Sequence, residues 1–249
     1  MKTNALKRLL RMDGPLLSIV SLVIAIVISA IIMAVCGYNP FEAYGAIVKG
    51  SFGSQRAIVQ TLTQATPLIF TGLAFTLAKK ANLINLGAEG QLYLGALAAS
   101  VVGMTDLGLP TVLHLPLAVL AGMAAGGIYA GLVGFLKVRF GSNEVIATIM
   151  LNSIAIYFVD YLLNGPLLAE GSSVAQTERV LQTAQLPRIF QQYQLTIAII
   201  IAVAACILAK LFMDKTNLGY EIRSVGLNPG AAEAAGISKA KVTVVGLCI

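Results

Sequence analysis

The chain has 249 residues, of which 57% are hydrophobic and 11% are charged, and its mean hydropathy is +0.85. Soluble domains carry roughly 25% charged residues, so this composition excludes an ordinary soluble domain and indicates a protein of the lipid bilayer. The net charge of +6 does not indicate a nucleic-acid partner, because no basic patch is interleaved with aromatic residues on a soluble surface. The three cysteines, Cys36, Cys206 and Cys248, lie in or beside apolar runs and are interpreted as small hydrophobic residues.

Apolar runs long enough to cross a membrane follow one another along the chain. A helix needs about 20 apolar residues to cross the hydrocarbon core of a bilayer. The first run is longer than the core of a signal peptide, and we interpret it as a retained helix. The sequence predicts an all-α, polytopic transmembrane helix bundle in one domain, with about six complete spans near residues 15–36, 57–78, 86–103, 112–136, 145–163 and 195–213.

A seventh apolar run begins near residue 242 and is interrupted at Ile249. A polypeptide that stopped there would leave its backbone inside the bilayer, where polar groups have no partner. We therefore expect residues 242–249 to be the start of a seventh span in a truncated chain.

The positive residues orient the helices, because Lys and Arg accumulate in the cytoplasmic loops of membrane proteins. With the N-terminus in the cytoplasm, thirteen of the 17 Lys and Arg residues fall on the cytoplasmic side and four on the outer side. The cytoplasmic set is Lys2, Lys7, Arg8, Arg11, Lys79, Lys80, Lys137, Arg139, Lys210, Lys215, Arg223, Lys239 and Lys241. The outer set is Lys49, Arg56, Arg179 and Arg188. This count predicts a cytoplasmic N-terminus and two longer outer loops, residues 37–56 and 164–193.

Residues 218–241 form a polar island between apolar runs and lie in the cytoplasm in this topology. Asn228 is suited to cap a helix start, and Pro229 suits the first turn. The following AAEAA is rich in helix formers, and Gly236 supplies a stop. A short, rigid helix just outside a bilayer is either a docking element for another protein or an ordinary ordered turn.

A second polar island, residues 82–91, stands directly before an apolar stretch. Its glycines, Gly87 and Gly90, allow a break in the helix or a close approach of two backbones. One interpretation is a re-entrant segment that is buried in protein or lines water. The other is a cytoplasmic turn with Glu89 at a helix N-terminus, where the dipole favours a carboxylate.

Two further segments carry polar groups at membrane depth. In residues 142–152, Ser142 or Asn143 can cap a helix, and Thr148 and Asn152 lie four apart on one face, where they could line a solute path. Residues 57–78 surround Pro67 with hydroxyl and amide side chains, which is typical of a polar solute site or of a packing kink. The candidate solute-path residues are Gln64, Asn82, Asn85, Glu89, Gln91, Asn143, Glu144, Thr148 and Asn152.

Small residues four apart in residues 112–136 predict close helix packing. The pairs are Gly122 with Gly126, Gly127 with Gly131, and Ala130 with Gly134. His114 is the only histidine of the sequence, and we expect it to have a structural role at the outer boundary.

Several motifs are absent from the sequence. It contains no GxxxxGK[ST] loop for ATP, no HExxH and no paired Cys and His ligands, so it predicts no catalytic residue and no metal site. With one histidine, a Ser-His hydrolase is disfavoured. Binding and passage of a solute remain as the favoured class of function.

The sequence resembles the permease subunits of bacterial ATP-binding-cassette importers for branched-chain amino acids, simple sugars and nucleosides. Three motifs carry the resemblance: NLINLGAEGQ at 82–91, SNEVIATIMLN at 142–152 and LGYEIRSVGLNPGAAEAAGISKAK at 218–241. Residues 37–54 and 66–78 support it. Within the group, NLGAEGQ and NEVIATIMLN resemble the permeases that are paired with lipoprotein nucleoside receptors.

The resemblance implies an importer for nucleosides in the bacterial inner membrane, in which this chain is not an enzyme and binds no cofactor. Its implied partners are a cytoplasmic ATPase that binds ATP and Mg²⁺, a second permease subunit in a homodimer or heterodimer, and an extracytoplasmic solute-binding protein. The resemblance also implies a coupling helix that docks on the ATPase and comprises Asn228, Pro229, Ala231, Ala232, Glu233, Ala234, Ala235 and Gly236. The alternatives are a permease of this type for sugars or branched-chain amino acids, and an ion-coupled secondary transporter.

Overall fold

The computed structural model describes residues 14–190 and 192–249, apart from the side chains of residues 14–16 and 18. Within these residues the regular structure is helical, and the only β pairing is an isolated antiparallel bridge between Arg188 and Thr196. The predicted all-α helix bundle is therefore confirmed for the described part of the chain. The contacts divide the chain into a smaller unit that ends at Thr61 and a larger unit of residues 62–249.

The smaller unit contains α1 (Gly14–Val35) and α2 (Pro40–Phe52). The hydroxyl of Tyr44 on α2 donates a hydrogen bond to the backbone carbonyl of Ile26 on α1, at 2.8 Å. Because α1 has only apolar and hydroxyl side chains beyond its first residue, it has the composition that the run at 15–36 predicts for a helix in lipid.

Helix α2 occupies most of residues 37–56, the segment that the sequence predicts as an outer loop. The side chain of Asn39 accepts a hydrogen bond from the backbone N–H of Phe41 at 3.1 Å, and Pro40 occupies the first turn. Both are helix-start signals, because an N-cap oxygen and a proline at the first position suit a turn with free N–H groups.

The remaining helices belong to the larger unit, except that the first seven residues of α3 lie before the boundary at Thr61. They are α3 (Gln55–Lys80), α4 (Ala88–Met104), α5 (Thr111–Phe140), α6 (Glu144–Leu163), α7 (Ala198–Lys215), α8 (Asn217–Leu227), α9 (Pro229–Ala234) and α10 (Lys239–Cys248), with a 3-10 turn at Gln182–Ala184 between α6 and α7.

Among the described residues, α3, α5 and α6 are long and apolar enough to cross a membrane, and Ile19–Val35 of α1 forms a shorter apolar helix. Large apolar side chains project from these helices, for example Ile128 at 75% exposure. Such surfaces are expected where lipid replaces water. The count of six complete spans and the cytoplasmic N-terminus stay predictions, and four of the orienting residues, Lys2, Lys7, Arg8 and Arg11, lie outside the described residues.

Helix α5 packs closely against α4 on one side and α10 on the other. A Cβ atom added to Gly122 would lie 2.9 Å from the carbonyl oxygen of Gly95 on α4. On the other side, a Cβ added to Gly134 would lie 2.8 Å from the Cα of Val244 on α10. These contacts confirm that the small residues of α5 serve close helix packing, because any larger side chain would separate the backbones.

The main apolar cluster lies where the C-terminal end of α3 meets α5, α7, α8, α9 and α10. It includes Ala78, Val133, Ile222, Val225 and Val242, each at most 4% exposed. Each buried Val or Ile side chain contributes roughly 1.5–3 kcal/mol, so the cluster fixes the short helices α8 and α9 to the ends of the longer ones.

The segment between α6 and α7 is held against the ends of α4 and α5. His114 of α5 is 1% exposed, and its Nε2 lies 2.9 Å from the carbonyl oxygen of Val102, to which it donates. Its Nδ1 lies 2.8 Å from the hydroxyl of Thr183 in the 3-10 turn. The predicted structural role of His114 is thus confirmed, since one ring nitrogen bonds to α4 and the other bonds to the segment between α6 and α7.

Candidate functional site

The chain between α3 and α4 is an irregular segment that is buried in protein. Asn82 has a backbone φ of +58°, and the residues that follow it are not helical until Ala88. Leu83 and Asn85 are only 4% and 2% exposed. Irregular backbone at membrane depth requires such burial, because its polar groups need partners other than lipid. The choice between a re-entrant segment and a cytoplasmic turn stays open.

The structure brings five of the predicted solute-path residues into one network, which we name the polar junction: Asn85, Glu89, Gln91, Thr148 and Asn152. Asn85 accepts a hydrogen bond from the backbone N–H of Gly87 at 2.9 Å and exchanges side-chain hydrogen bonds with Gln91 at 3.3–3.4 Å. The backbone N–H of Leu86 donates to the hydroxyl of Thr148 on α6 at 3.4 Å. Two polar segments that lie about 60 residues apart in the sequence therefore meet directly.

Asn152 of α6 supplies the partner that the start of α4 lacks. The first N–H groups of a helix have no partner within it, and the N-cap residue Gly87 has no side chain to provide one. The amide oxygen of Asn152 accepts from the backbone N–H of Gly90, and its nitrogen donates to the carboxylate of Glu89 at 3.2 Å. Glycine is required at residue 90, because an added Cβ would lie 2.8 Å from that same amide oxygen.

Three polar residues of α6 form a stripe along one face: Glu144, Thr148 and Asn152, spaced four residues apart. At the start of the stripe, Glu144 forms an ion pair with Lys137 at the end of α5, at 2.5 Å. Thr148 is fully buried and donates to the carbonyl oxygen of Glu144 at 2.7 Å. The stripe thus connects the beginning of α6 to the polar junction.

The other predicted solute-path residues lie apart from this network. Asn143 caps α6, accepting hydrogen bonds from the backbone N–H groups of Val145 and Ile146, which is the structural role that the sequence also allowed. Gln64 on α3 and Asn82 are exposed.

A cavity of about 220 Å³ adjoins the polar junction. Gln91 is part of its wall, and most of the remaining wall is apolar or glycine, with Phe70 and Thr71 from α3. Sequence reasoning did not select Phe70, because one aromatic residue in an apolar run gives no signal of its own. The described residues contain no group of His, Cys, Asp and Glu that could hold a metal ion. What the arrangement offers is hydrogen bonding and an aromatic side chain in the cavity wall.

The predicted coupling helix is α9. The side chain of Asn228 accepts from the backbone N–H groups of Gly230 and Ala231, both at 3.1 Å, and Pro229 occupies the first turn. At the other end, Gly236 has a φ of +82°, and its N–H donates to the carbonyl of Glu233 at 2.9 Å. The N–H of Ile237 donates to the carbonyl of Ala232, which completes a Schellman stop. The predicted start and stop are confirmed.

Most of the surface of α9 is free. Only Ala232 is buried, at 4% exposure, while Ala231, Glu233, Ala234, Ala235 and Gly236 are exposed. The sequence predicted one helix in residues 218–241, whereas the structure shows α9 between α8 and the start of α10. Helix α8 packs on α3 so closely that a Cβ on Gly226 would collide with the carbonyl oxygen of Lys80. A short exposed helix on a fixed support has the geometry of a docking element.

The family described as "Branched-chain amino acid transport system / permease component" matches residues 57–249. The chain belongs to this permease family. The matched residues contain the polar junction, its cavity and α9, so all three are features of a permease. The family and the apolar helices together identify a membrane protein.

Several known permeases are similar to the chain. A guanosine ABC transporter permease protein of Bacillus subtilis is 35% identical over 233 residues, which cover 93% of this chain and 67% of the relative. A nucleoside ABC transporter permease protein of Lactococcus lactis is 32% identical, over 94% of this chain and 66% of the relative. A glucose ABC transporter permease protein of Haloferax volcanii is 34% identical, over 89% of this chain and 60% of the relative. No solved structure matches the chain.

Proposed function

We propose that this chain is the membrane-spanning permease subunit of an ATP-binding-cassette importer that moves a nucleoside across the plasma membrane of a bacterial cell. The observation that carries the proposal is the similarity to two relatives named as guanosine and nucleoside permeases, at 35% and 32% identity. The chain spans about two thirds of the length of these relatives, at 67% and 66%. The activity is therefore proposed for the complete permease within its complex.

The polar junction and its cavity support a solute that is polar and uncharged. Gln91 belongs to both, and its amide can donate and accept hydrogen bonds, as recognition of a base or a ribose requires. The ring of Phe70 offers a face on which a base can stack. Contacts of this kind are weak enough to be reversible, which a transporter needs in order to release its solute.

Energy is proposed to enter through α9. In the proposed complex, ATP and Mg²⁺ bind to a separate cytoplasmic ATPase, a second permease subunit pairs with this one, and an extracytoplasmic protein delivers the solute. The exposed and doubly capped surface of α9 supports docking of the ATPase. Closure of the ATPase pair would then move the bundle between inward-facing and outward-facing states, which is alternating access by rigid-body motion.

Two alternatives rest on observations of their own. The relative from Haloferax volcanii is named as a glucose permease, which favours a sugar as the second candidate solute. The description of the family names branched-chain amino acids. An ion-coupled secondary transporter is the remaining alternative, and it predicts transport by the permease without any ATPase.

Uptake by the full-length complex tests the solute and the energy source together. Proteoliposomes would be given labelled guanosine, glucose or leucine, with ATP on the ATPase side and the solute-binding protein on the other. We expect uptake of guanosine that requires ATP. Uptake of only glucose or leucine would contradict the nucleoside assignment. Uptake without an ATPase, or a purified permease that no ATPase accompanies, would contradict the importer itself.

A further inference from the structure

A second, larger cavity of about 550 Å³ lies beside α9. It is enclosed by the turn between α5 and α6, by α9 and by the first turns of α10. Much of its wall is polar or charged: Lys137, Ser142, Glu144, Glu233, Lys239 and Thr243. In the predicted topology it opens on the cytoplasmic side, outside the region of the polar junction.

One polar group in this wall lacks a hydrogen-bond partner among the described residues. Lys137 and Glu144 are paired with each other. The hydroxyl oxygen of Ser142 is buried and has no hydrogen-bond partner among the described residues. A buried polar atom without a partner destabilises a fold by about 1–3 kcal/mol, and the residue that carries this one belongs to the cavity wall.

The rim of the cavity carries charges of both signs. Glu233 projects from α9 and Lys239 from the start of α10, and both are exposed. Within the described part of the chain, neither forms an ion pair. The carboxylate of Glu233 would repel a small anion, and the ammonium group of Lys239 would repel a small cation. A protein segment with an acidic and a basic side chain matches both charges.

The cavity also connects α9 to the polar junction. Glu144, in its wall, is the first residue of the α6 stripe that continues through Thr148 to Asn152. An occupant would therefore contact α9 and the beginning of α6 at once. The coupling helix that the sequence predicts includes no residue of the turn between α5 and α6.

We propose that this cavity is a second docking site for the ATPase subunit, which inserts a polar segment with side chains of both charges between α9 and the turn before α6. The proposal rests on the proposed function. In this arrangement the hydroxyl of Ser142 bonds to the inserted segment, Glu233 and Lys239 pair with its charges, and movement of the ATPase is transmitted directly to α6 as well as to α9.

Protection of single cysteines in the full-length complex tests this proposal. The background would be a full-length permease in which Cys36, Cys206 and Cys248 are replaced by serine. Single cysteines are then introduced as Ala240→Cys in the cavity wall, Ala235→Cys at the end of α9 and Lys215→Cys on α7, all at exposed positions. A membrane-impermeant maleimide is applied to the cytoplasmic face with the ATPase bound and after it has been stripped off.

We expect the bound ATPase to slow labelling at residues 240 and 235 by about tenfold or more, because an interface core excludes solvent, and to leave residue 215 unchanged. Protection at 235 without protection at 240 overturns the second docking site and keeps the importer. If no ATPase accompanies the permease, both proposals fail. Slow labelling at 240 that persists after the ATPase is stripped off assigns the cavity to a lipid or to the chain itself and also overturns the proposal.

Substitution of Ser142 separates docking from a role in folding. Ser142→Ala removes a hydroxyl that has no hydrogen-bond partner among the described residues, so we expect an unchanged or slightly raised melting temperature. The same change should weaken binding of the ATPase by about tenfold, the effect of losing one hydrogen bond in an interface. Ser153→Ala, on the exposed face of α6, is the matched control and should change neither. A lowered melting temperature with unchanged ATPase affinity would contradict the docking role.

Discussion

The segment at residues 82–91, which contributes to the polar junction, and the segment at residues 228–236, which contains α9, use the same polar residue types in opposite ways. Each contains Asn, Gly and Glu, and each interrupts apolar runs. In the polar junction, the side chains of Asn85, Thr148 and Asn152 bond to backbone and side chains across two helices. At α9, the side chain of Asn228 bonds only to the first turn of the helix that it caps, and Ala232 is the one buried residue of that helix.

The hydrogen-bond partners of the polar side chains therefore distinguish the two segments. A segment whose side chains bond to other helices holds the bundle together, whereas one whose side chains bond locally leaves its surface available to a partner. Polar groups that are buried must find partners inside the protein, and here they fix the positions of α4 and α6. Polar groups that bond locally stabilise one short helix and leave its outer surface free. The comparison predicts large effects on stability in the polar junction and large effects on coupling in α9.

The largest loss of stability is expected for Gly90→Val. A Cβ at this position would lie 2.8 Å from the amide oxygen of Asn152 and 2.9 Å from the Cβ of Ala155. The side chain would force α4 away from α6, which we expect to lower the free energy of unfolding by about 3 kcal/mol. Thermal unfolding of the purified permease in detergent measures this. Gly45→Val in α2, where nothing lies within 4 Å, is the control, and equal losses in both variants would contradict the packing argument.

A smaller loss is expected for Asn152→Ala. The variant leaves the N–H of Gly90 and the carboxylate of Glu89 without their partner, which should lower the free energy of unfolding by about 2 kcal/mol. Hydrogen exchange at the start of α4 should also become faster. Ser153→Ala is the control, because its exposed hydroxyl bonds only within α6. Unchanged exchange at Gly90 would show that Asn152 serves another purpose.

Gly236→Ala tests the stop of α9 alone. Nothing lies within 4 Å of an added Cβ, so the effect comes only from the φ of +82°, a conformation that disfavours alanine by about 1 kcal/mol. We expect this loss of stability in α9, seen as faster local hydrogen exchange, together with reduced ATP hydrolysis coupled to transport. Gly230→Ala, inside the helix and without a close contact, should not reduce either quantity. Coupled hydrolysis that survives in Gly236→Ala would indicate that α9 is only a connector.

Glu233→Lys is expected to have the smallest effect on stability and a large effect on function. The side chain is exposed, so the free energy of unfolding should change by less than about 0.5 kcal/mol. Membrane insertion should be normal, while transport linked to ATP hydrolysis falls, because the charge faces the proposed partner. Glu178→Lys, exposed between α6 and α7, reverses the same charge away from α9 and should transport normally. Normal transport in both variants would remove α9 from the coupling mechanism.

The sequence predicted α9 well because its signals are local. Asn228, Pro229 and Gly236 act on neighbouring residues, so their spacing specifies a start and a stop without reference to the rest of the fold. The polar junction was predicted only as two separate segments, since no local pattern shows that Asn152 meets Gly90. The partnership depends on how α4 and α6 pack, which side-chain periodicity alone does not specify.

Two other features were missed for related reasons. Asn39 and Pro40 are residue types that are also common in loops, and only their positions at the start of α2 reveal their role. The cavity beside α9 is lined by residues from 137 to 243. One of its informative features is visible only in three dimensions: the hydroxyl of Ser142 has no hydrogen-bond partner in the described part of the chain. Neither the mean composition of a segment nor a motif within it carries that information.

The stripe on α6 has a consequence for how the permease can move. Its residues span eight positions, or about 12 Å along the helix axis, and they attach α6 to α5 at one end and to the start of α4 at the other. Sliding or rotating α6 would break the attachments at both ends together. Helices α4, α5 and α6 should consequently move as one rigid body. A displacement of the turn before α6 would then be transmitted in full to Asn152, at the other end of the stripe.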